Sequence, residues 1–289
     1  MANAQFVPII EPVKEALNGL DRTLKAICDA NGKAIVIVNP DYGDHASDGT
    51  DISKLLQDNF GDKKTISAGV LLKESMSADI AYQYYETHKD HSPVFIHAGF
   101  TEPKVLADKL QRAQIAAPHV FVEKYCGKLY WRHFKGSQRV LIRDGFVRRK
   151  NADYPPVEKF SDLHVTFEEE GMNGFGDFLV VGDDYSEGGG PAYAVAIHLT
   201  HIDPDKDDVM YVYHFLSTTN DTPTDPAGKF SQALEKLIAK LNSGASHLVE
   251  GSSIAEFREL HEKKHFPGLG HVKKLAMKHH LETLADFLS

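Results

Sequence analysis

The first half of the chain alternates short apolar runs with longer amphipathic stretches. FVPII, KAIVIVN, TISAGVLL, SPVFIHAG and PHVFVEK read as strands, and KAIVIVN, almost wholly apolar, predicts one covered on both faces. Between them, KEALNGLDRTLKAICDA sets Leu17, Leu20, Leu24 and Ile27 at helical spacing, and ISKLLQDNF, SADIAYQYYETH and TEPKVLADKLQRAQ predict further helices. Successive strands begin roughly 30 residues apart, the length of a βα unit closed by a right-handed crossover. RVLIRDG, GDFLVVG and AYAVAIHLT predict three more strands, and VMYVYHFL an extra alternating one. Eight βα-type strands without an early Gly-rich phosphate loop predict an α/β protein built on a TIM-like (β/α) barrel, distorted or incomplete.

The second half is less regular. Tyr154 to Gly176 holds two prolines and the acidic FEEEG, which predicts an insertion at 154–176 within a barrel-like domain spanning 1–225. AGKFSQALEKLIAKL and SSIAEFRELHEKKH predict extra C-terminal helices over 226–289, packed on the barrel.

Composition narrows the class without naming a chemistry. In 289 residues, 42% are hydrophobic and 25% charged, the profile of a globular chain with a substantial core. No apolar run is long enough to span a bilayer, and MANAQFVPIIEPV lacks the positive start and apolar length of a signal peptide, so the expected location is the cytoplasm. Two cysteines, Cys28 and Cys126, make no disulfide framework. A formal charge of -9 argues against binding of extended nucleic acid, although RDGFVRRKN forms one basic patch suited to a phosphate.

Candidate chemistry gathers where predicted strands end. Glu11 follows FVPII, Asn39 follows AIVIV, and His97 closes PVFI. Glu123 and Lys124 follow HVFV, Arg143 and Asp144 follow RVLI, and Asp183 and Asp184 follow FLVV. In a barrel these ends share one bowl, and polar groups there need partners or a ligand. Glu11, Glu123, Asp144 and Asp183 offer oxygen ligands for Mg or Mn, His97 a proton-transferring imidazole, and Lys124 and Arg143 neutralisation of phosphate charge. The set predicts metal-dependent hydrolysis of a phosphate-containing small molecule or nucleic-acid end. Taken singly, each residue also has a turn or ion-pair explanation, and a non-catalytic protein that binds a partner is the alternative. The loop GDDYSEGGGPAY, with Asp183, Asp184 and Glu187, reads as a lid, a metal-binding loop or a wide turn.

A second metal reading comes from HEKKHFPGLGH, whose His261, His265 and His271 have the spacing of a zinc site, with Glu262 placed to activate water. The string resembles the metzincin peptidases over these residues alone. Lys263 and Lys264 suggest a wet helix surface instead, and Ile254, Phe257 and Leu260 explain the helix as one that packs on the body of the protein.

Longer strings carry a broader resemblance. PIIEPVK, IVIVNP, RVLIRDGFVRRKNADYP, FSDLH, GFGDFLVVGDDYSEGGGPAYAVAIHLT, DTPTDPAGKF and HEKKHFPGLGHVKKLAMKHH together resemble a bacterial group related to the beta-family proteins, over nearly the whole chain. That group tends to begin with a further strand and helix before the segment matching PIIEPVK, which puts the number of barrel elements in question. The resemblance implies a shared bacterial fold, sometimes associated with mobile elements or phage defence. It brings no settled activity and transfers no residue role.

Overall fold

Apolar runs rich in Val and Ile bury both faces only when strands lie side by side under helices, and the first half of the chain does this repeatedly. A computed structural model describes residues 6–185 and 190–289; Met1–Gln5, at the start read for a signal peptide, and Glu187 of the acidic loop lie outside them. In chain order come β1 (Ile9–Ile10), α1 (Asn18–Asp29), β2 (Ala34–Ile37), α2 (Thr50–Phe60), β3 (Ile66–Leu72) and α3 (Ala78–Thr87). They are followed by β4 (Val94–His97), α4 (Pro103–Arg112), β5 (His119–Val122), the short α5 (Lys128–Trp131) and β6 (Arg139–Ile142). Local signals set the helix starts: the Ser77 hydroxyl accepts from the Ile80 amide, and Pro103 opens α4, where a missing N–H costs nothing.

The strands pair in parallel and in register, Ile35 with Ser67, Val70 with Phe95, Ile96 with Val120, Phe121 with Leu141. Leu24, Val36, Ile52, Leu56, Phe60 and Ile66 form one sealed layer between the first strands and their helices. Each fully buried side chain of this kind contributes about 1.5–3 kcal/mol. Gly69 is required in the middle of β3, since a Cβ there would lie 2.9 Å from both Ile35 Cγ2 and Ile96 Cδ1.

Beyond β6 the chain forms β7 (Val157–Ser161) and α6 (Leu163–Thr166), then returns as β8 (Gly174–Gly176), which pairs in parallel with β6. The sheet therefore runs β1-β2-β3-β4-β5-β6-β8. Neighbours follow chain order as in a barrel, yet the sheet stays open between β8 and β1. This curled, half-barrel sheet is a distorted, incomplete TIM-like barrel, with extra helices at the C-terminal end of the chain.

The rest of the chain is β9 (Ala196–Asp203), β10 (Val209–Leu216), α7 (Pro226–Asn242), α8 (Ser252–Glu262) and α9 (Leu269–Phe287). Strands β7, β10 and β9 make an antiparallel sheet in that order. Its core joins Ile197, Leu199, Met210 and Val212 to Phe230, Leu237, Phe257 and Leu275 of the three helices. No helix among the described residues is long and apolar enough to cross a membrane.

Two compact units result among the described residues: 6–142 with Phe167–Gly176, and Arg143–Thr166 with the residues from Asp177 onward. The division cuts through the segment 154–176 and lies elsewhere than the expected boundary at 225, because β9 and β10 share their core with α7, α8 and α9. Two strand expectations are corrected. GDFLVVG is not a strand: the Asp177 carboxylate accepts from the Leu179 amide at 2.7 Å and Leu179 takes a φ of +54°, bending the chain into a 3-10 turn, so the seventh parallel strand is GFG just before it. AYAVAIHLT does form a strand, but it pairs antiparallel with VMYVYHFL. The turn between them, at Pro204–Lys206 with Asp207 and Asp208 both left-handed, is far shorter than a parallel crossover needs.

Candidate functional site

The strand-end residues are engaged in local structure. Glu11 Oε1 accepts from the amides of Asp41 and Tyr42, at 2.6 and 3.2 Å, fastening the loop after β2 to the end of β1. Asn39 acts as an extra rung of the sheet: its amide donates to the Leu71 carbonyl and accepts from the Leu71 amide, each at 2.8 Å. Lys124 lies over the Tyr125 ring beside Glu123 in a 3-10 turn after β5.

His97 shows why position at a strand end is insufficient. Phe95 and His97 share one face of β4, as His119 and Phe121 share one face of β5, and this face meets the helices. Tyr85 of α3 stacks on Phe95 at 5.8 Å, and Tyr130 and Phe134 pack on His97. His97 Nδ1 pairs with the Tyr130 hydroxyl at 2.6 Å and Nε2 with His119 Nδ1 at 2.9 Å, so both nitrogens are used. Burial first, then the neighbouring His119, holds the His97 pKa well below the ordinary imidazole value. His119 is lowered to about 3 by burial, with Arg139 adding to the effect.

In the other unit, Arg143 donates to Asp162 at 2.8 Å. Asp144 and Asp183 do come together, but through the backbone: the Asp183 amide donates to Asp144 Oδ2 at 2.9 Å, and Oδ1 accepts from the Phe146 amide. Asp184 receives Arg148 through its carbonyl at 3.3 Å. The histidine motif is likewise dispersed. Helix α8 ends at Glu262 and Lys264 is left-handed, so His265 lies beyond the helical turn that would align it with His261. His271 instead meets Glu256 Oε1 at 2.5 Å. Among the described residues, neither expected set gathers three metal-ligating atoms.

One group does. Asp203, Asp205 and His247 each bring a ligand atom within 4.8 Å of the other two. Asp203 ends β9 and is nearly buried, whereas Asp205 and His247 are exposed. The turn forms locally because Pro204 starts it and Asp203 Oδ1 accepts from the Asp205 amide at 3.1 Å, which points the chain carrying the second carboxylate back toward the first. His247 joins from the connection between α7 and α8, at a φ of +54°. Lys206, 2.9 Å from Asp203, is the main cause holding that carboxyl below its usual range, helped by the Asp205 amide and by His247. The group is thus an ionised carboxylate with a second carboxyl and an imidazole beside it, a donor set suited to a divalent cation.

Sequence reasoning passed over this group. Its visible signal is IDPDKDD, four aspartates in a Pro-containing turn between two alternating strands; nothing local to that turn pointed to His247. Comparison with family models, with curated proteins and with solved structures found no match to the chain.

Proposed function

We propose that the protein is a divalent-metal-dependent hydrolase of a phosphate-containing small molecule or nucleic-acid end, with Asp203, Asp205 and His247 as the metal ligands. The observation that carries this reading is the convergence of these three groups on a surface turn. Three protein ligands leave coordination positions open, and a cation there would supply a water of lowered pKa and polarise a phosphoryl oxygen. Lys206 adds positive charge beside the site for a phosphate. The reading takes the protein as cytoplasmic, and as a relative of the bacterial group whose sequence strings it resembles.

The test is hydrolysis of bis(p-nitrophenyl) phosphate, p-nitrophenyl phosphate and a 5′-phosphorylated oligonucleotide in Mn²⁺, Mg²⁺ or Zn²⁺. Metal-dependent turnover that falls at least a hundredfold in Asp205→Asn and His247→Ala is expected. Turnover unchanged in both variants would place the chemistry elsewhere. Metal binding without turnover of any phosphoester would favour a second reading, a non-catalytic member of a bacterial defence or stress complex. That reading draws on Tyr125 and Leu129, large apolar side chains left exposed on one short segment.

A further inference from the structure

His201 is a buried imidazole beside the candidate metal ligands. It lies on β9 two residues before Asp203, so both side chains project from the same face of the strand. Its ring stacks on Tyr213, with centres 4.2 Å apart and planes 10° apart, and also faces Tyr211 at 5.8 Å. The residue is 3% exposed, yet Nδ1 has no hydrogen-bond partner among the described residues. A buried polar nitrogen left unpaired is costly, and most such atoms in folded proteins find a partner, a water or an ion.

The neighbour on the other side is the candidate ligand His247, whose ring centre is 6.2 Å from that of His201 at an interplanar angle of 22°. A zinc–nitrogen bond of about 2.1 Å sets each imidazole centre about 3.2 Å from the ion, so two rings on one tetrahedral ion lie about 5.2 Å apart. The observed spacing is about 1 Å longer, a gap that the exposed connection carrying His247 closes when the ion binds. A half-turn of the ring about χ2 exchanges Nδ1 with Cδ2 and Nε2 with Cε1, which moves both nitrogens to the other edge of the ring while leaving the stack on Tyr213 in place.

We infer that His201 is a fourth protein ligand of the Asp203, Asp205 and His247 site, making it a centre of two carboxylates and two imidazoles that takes zinc in preference to magnesium. The inference rests on the metal reading proposed above and sharpens it. Magnesium demands oxygen donors and near-octahedral geometry, whereas zinc accepts imidazole and carboxylate in a tetrahedron. The site is then half built into the sheet, with Asp203 and His201 on β9, and half on the surface, with Asp205 and His247.

The experiment is zinc and magnesium affinity, by competition with a chromophoric chelator, for the intact chain, His201→Phe and His247→Ala. Phenylalanine keeps the stack on Tyr213 and removes both nitrogens. Zinc binding weakened at least tenfold in His201→Phe, with magnesium binding changed less than twofold, is expected. Zinc binding equal to wild type in His201→Phe but lost in His247→Ala overturns the fourth ligand and leaves the three-ligand site standing. A wild-type chain that binds no zinc overturns the inference, and one that binds neither zinc, magnesium nor manganese overturns both readings. Should His201→Phe fail to fold, the imidazole ¹⁵N resonances of the wild-type chain decide. A His201 nitrogen that shifts with zinc occupancy supports ligation, and one that stays fixed while His247 shifts rules it out.

Discussion

The two units bury histidines in opposite ways. In the parallel-sheet unit, His97 and His119 face the helical layer, bonded to each other and roofed by Phe121, Tyr130 and Phe134. In the antiparallel unit, histidines tie helices to strands or one another to carboxylates. His279 Nε2 meets the Thr200 carbonyl at 2.9 Å, while His280 joins the Thr200 hydroxyl to Asp177 at 2.9 Å on each side. His198 and His214 lie 2.7 Å apart, and His214 reaches Glu158 at 3.1 Å. A histidine against an apolar helix layer is filler with its hydrogen bonds satisfied. One on a hairpin that ends in a polar turn lies next to groups that can hold a ligand. Neither chemical type nor strand face separates the two cases: His201 shares its face of β9 with the core residues Ile197 and Leu199, and differs in lying next to the turn that carries Asp203 and Asp205.

The largest expected effect tests whether the antiparallel unit rests on its own core. Phe257, fully buried among α7, α8, α9 and the small sheet, should cost about 3–5 kcal/mol when replaced by alanine. Hydrogen exchange should show that loss first in residues 196–289, with the strands β1 to β5 still protected. Simultaneous loss of protection in both units would mean that the two fold as one.

Acid is the next lever. Burial lowers His119 and His198 to about 3, and His201 and His279 to about 4, from an ordinary value of 6.5. These groups stay neutral in the folded chain and take up protons in the unfolded one. Below pH 6.5 the unfolded state therefore binds more protons, and stability falls until the pH passes the folded-state values near 4 and 3. Between pH 6.5 and 5 each group contributes about 2 kcal/mol of that loss. Urea midpoints at pH 7.0, 6.0 and 5.0 should fall in sequence, and His119→Phe should flatten the slope for the parallel-sheet unit alone. A midpoint independent of pH over this range would contradict the buried, neutral state of these rings.

A smaller effect is expected at Asn39. Its side chain replaces a strand rung at Leu71, so Asn39→Ala should destabilise the parallel-sheet unit by about 1–3 kcal/mol by leaving buried amide groups unpaired. Asn39→Asp keeps the acceptor but sets an oxygen against the Leu71 carbonyl, so it should not recover the loss in chemical denaturation at pH 7. The smallest effect belongs to the histidine motif. His261→Ala and His265→Ala should each change stability by no more than about 0.5 kcal/mol. Both should leave metal content unchanged by mass spectrometry under native conditions, whereas loss of a bound zinc would restore the motif as a site.

Local pattern by itself determined the α/β class, the first five βα repeats, the sixth strand, the barrel-like strand order and the C-terminal helices. Those features rest on period and length: apolar runs such as KAIVIVN and spaced leucines such as Leu17, Leu20 and Leu24 need only a neighbouring layer to form as they do. Tertiary structure decided the rest. GDFLVVG has strand composition, but one side-chain hydrogen bond from the Leu179 amide to Asp177 turns it aside, and AYAVAIHLT found a nearer antiparallel partner than any barrel strand. The metal-like spacing of His261, His265 and His271 dissolved because a helix stopped at Glu262. The group that does converge joins a hairpin turn to a connection between helices far along the chain. Periodicity reports which face a residue takes within its own element, and only packing decides which two elements bring their side chains to one point.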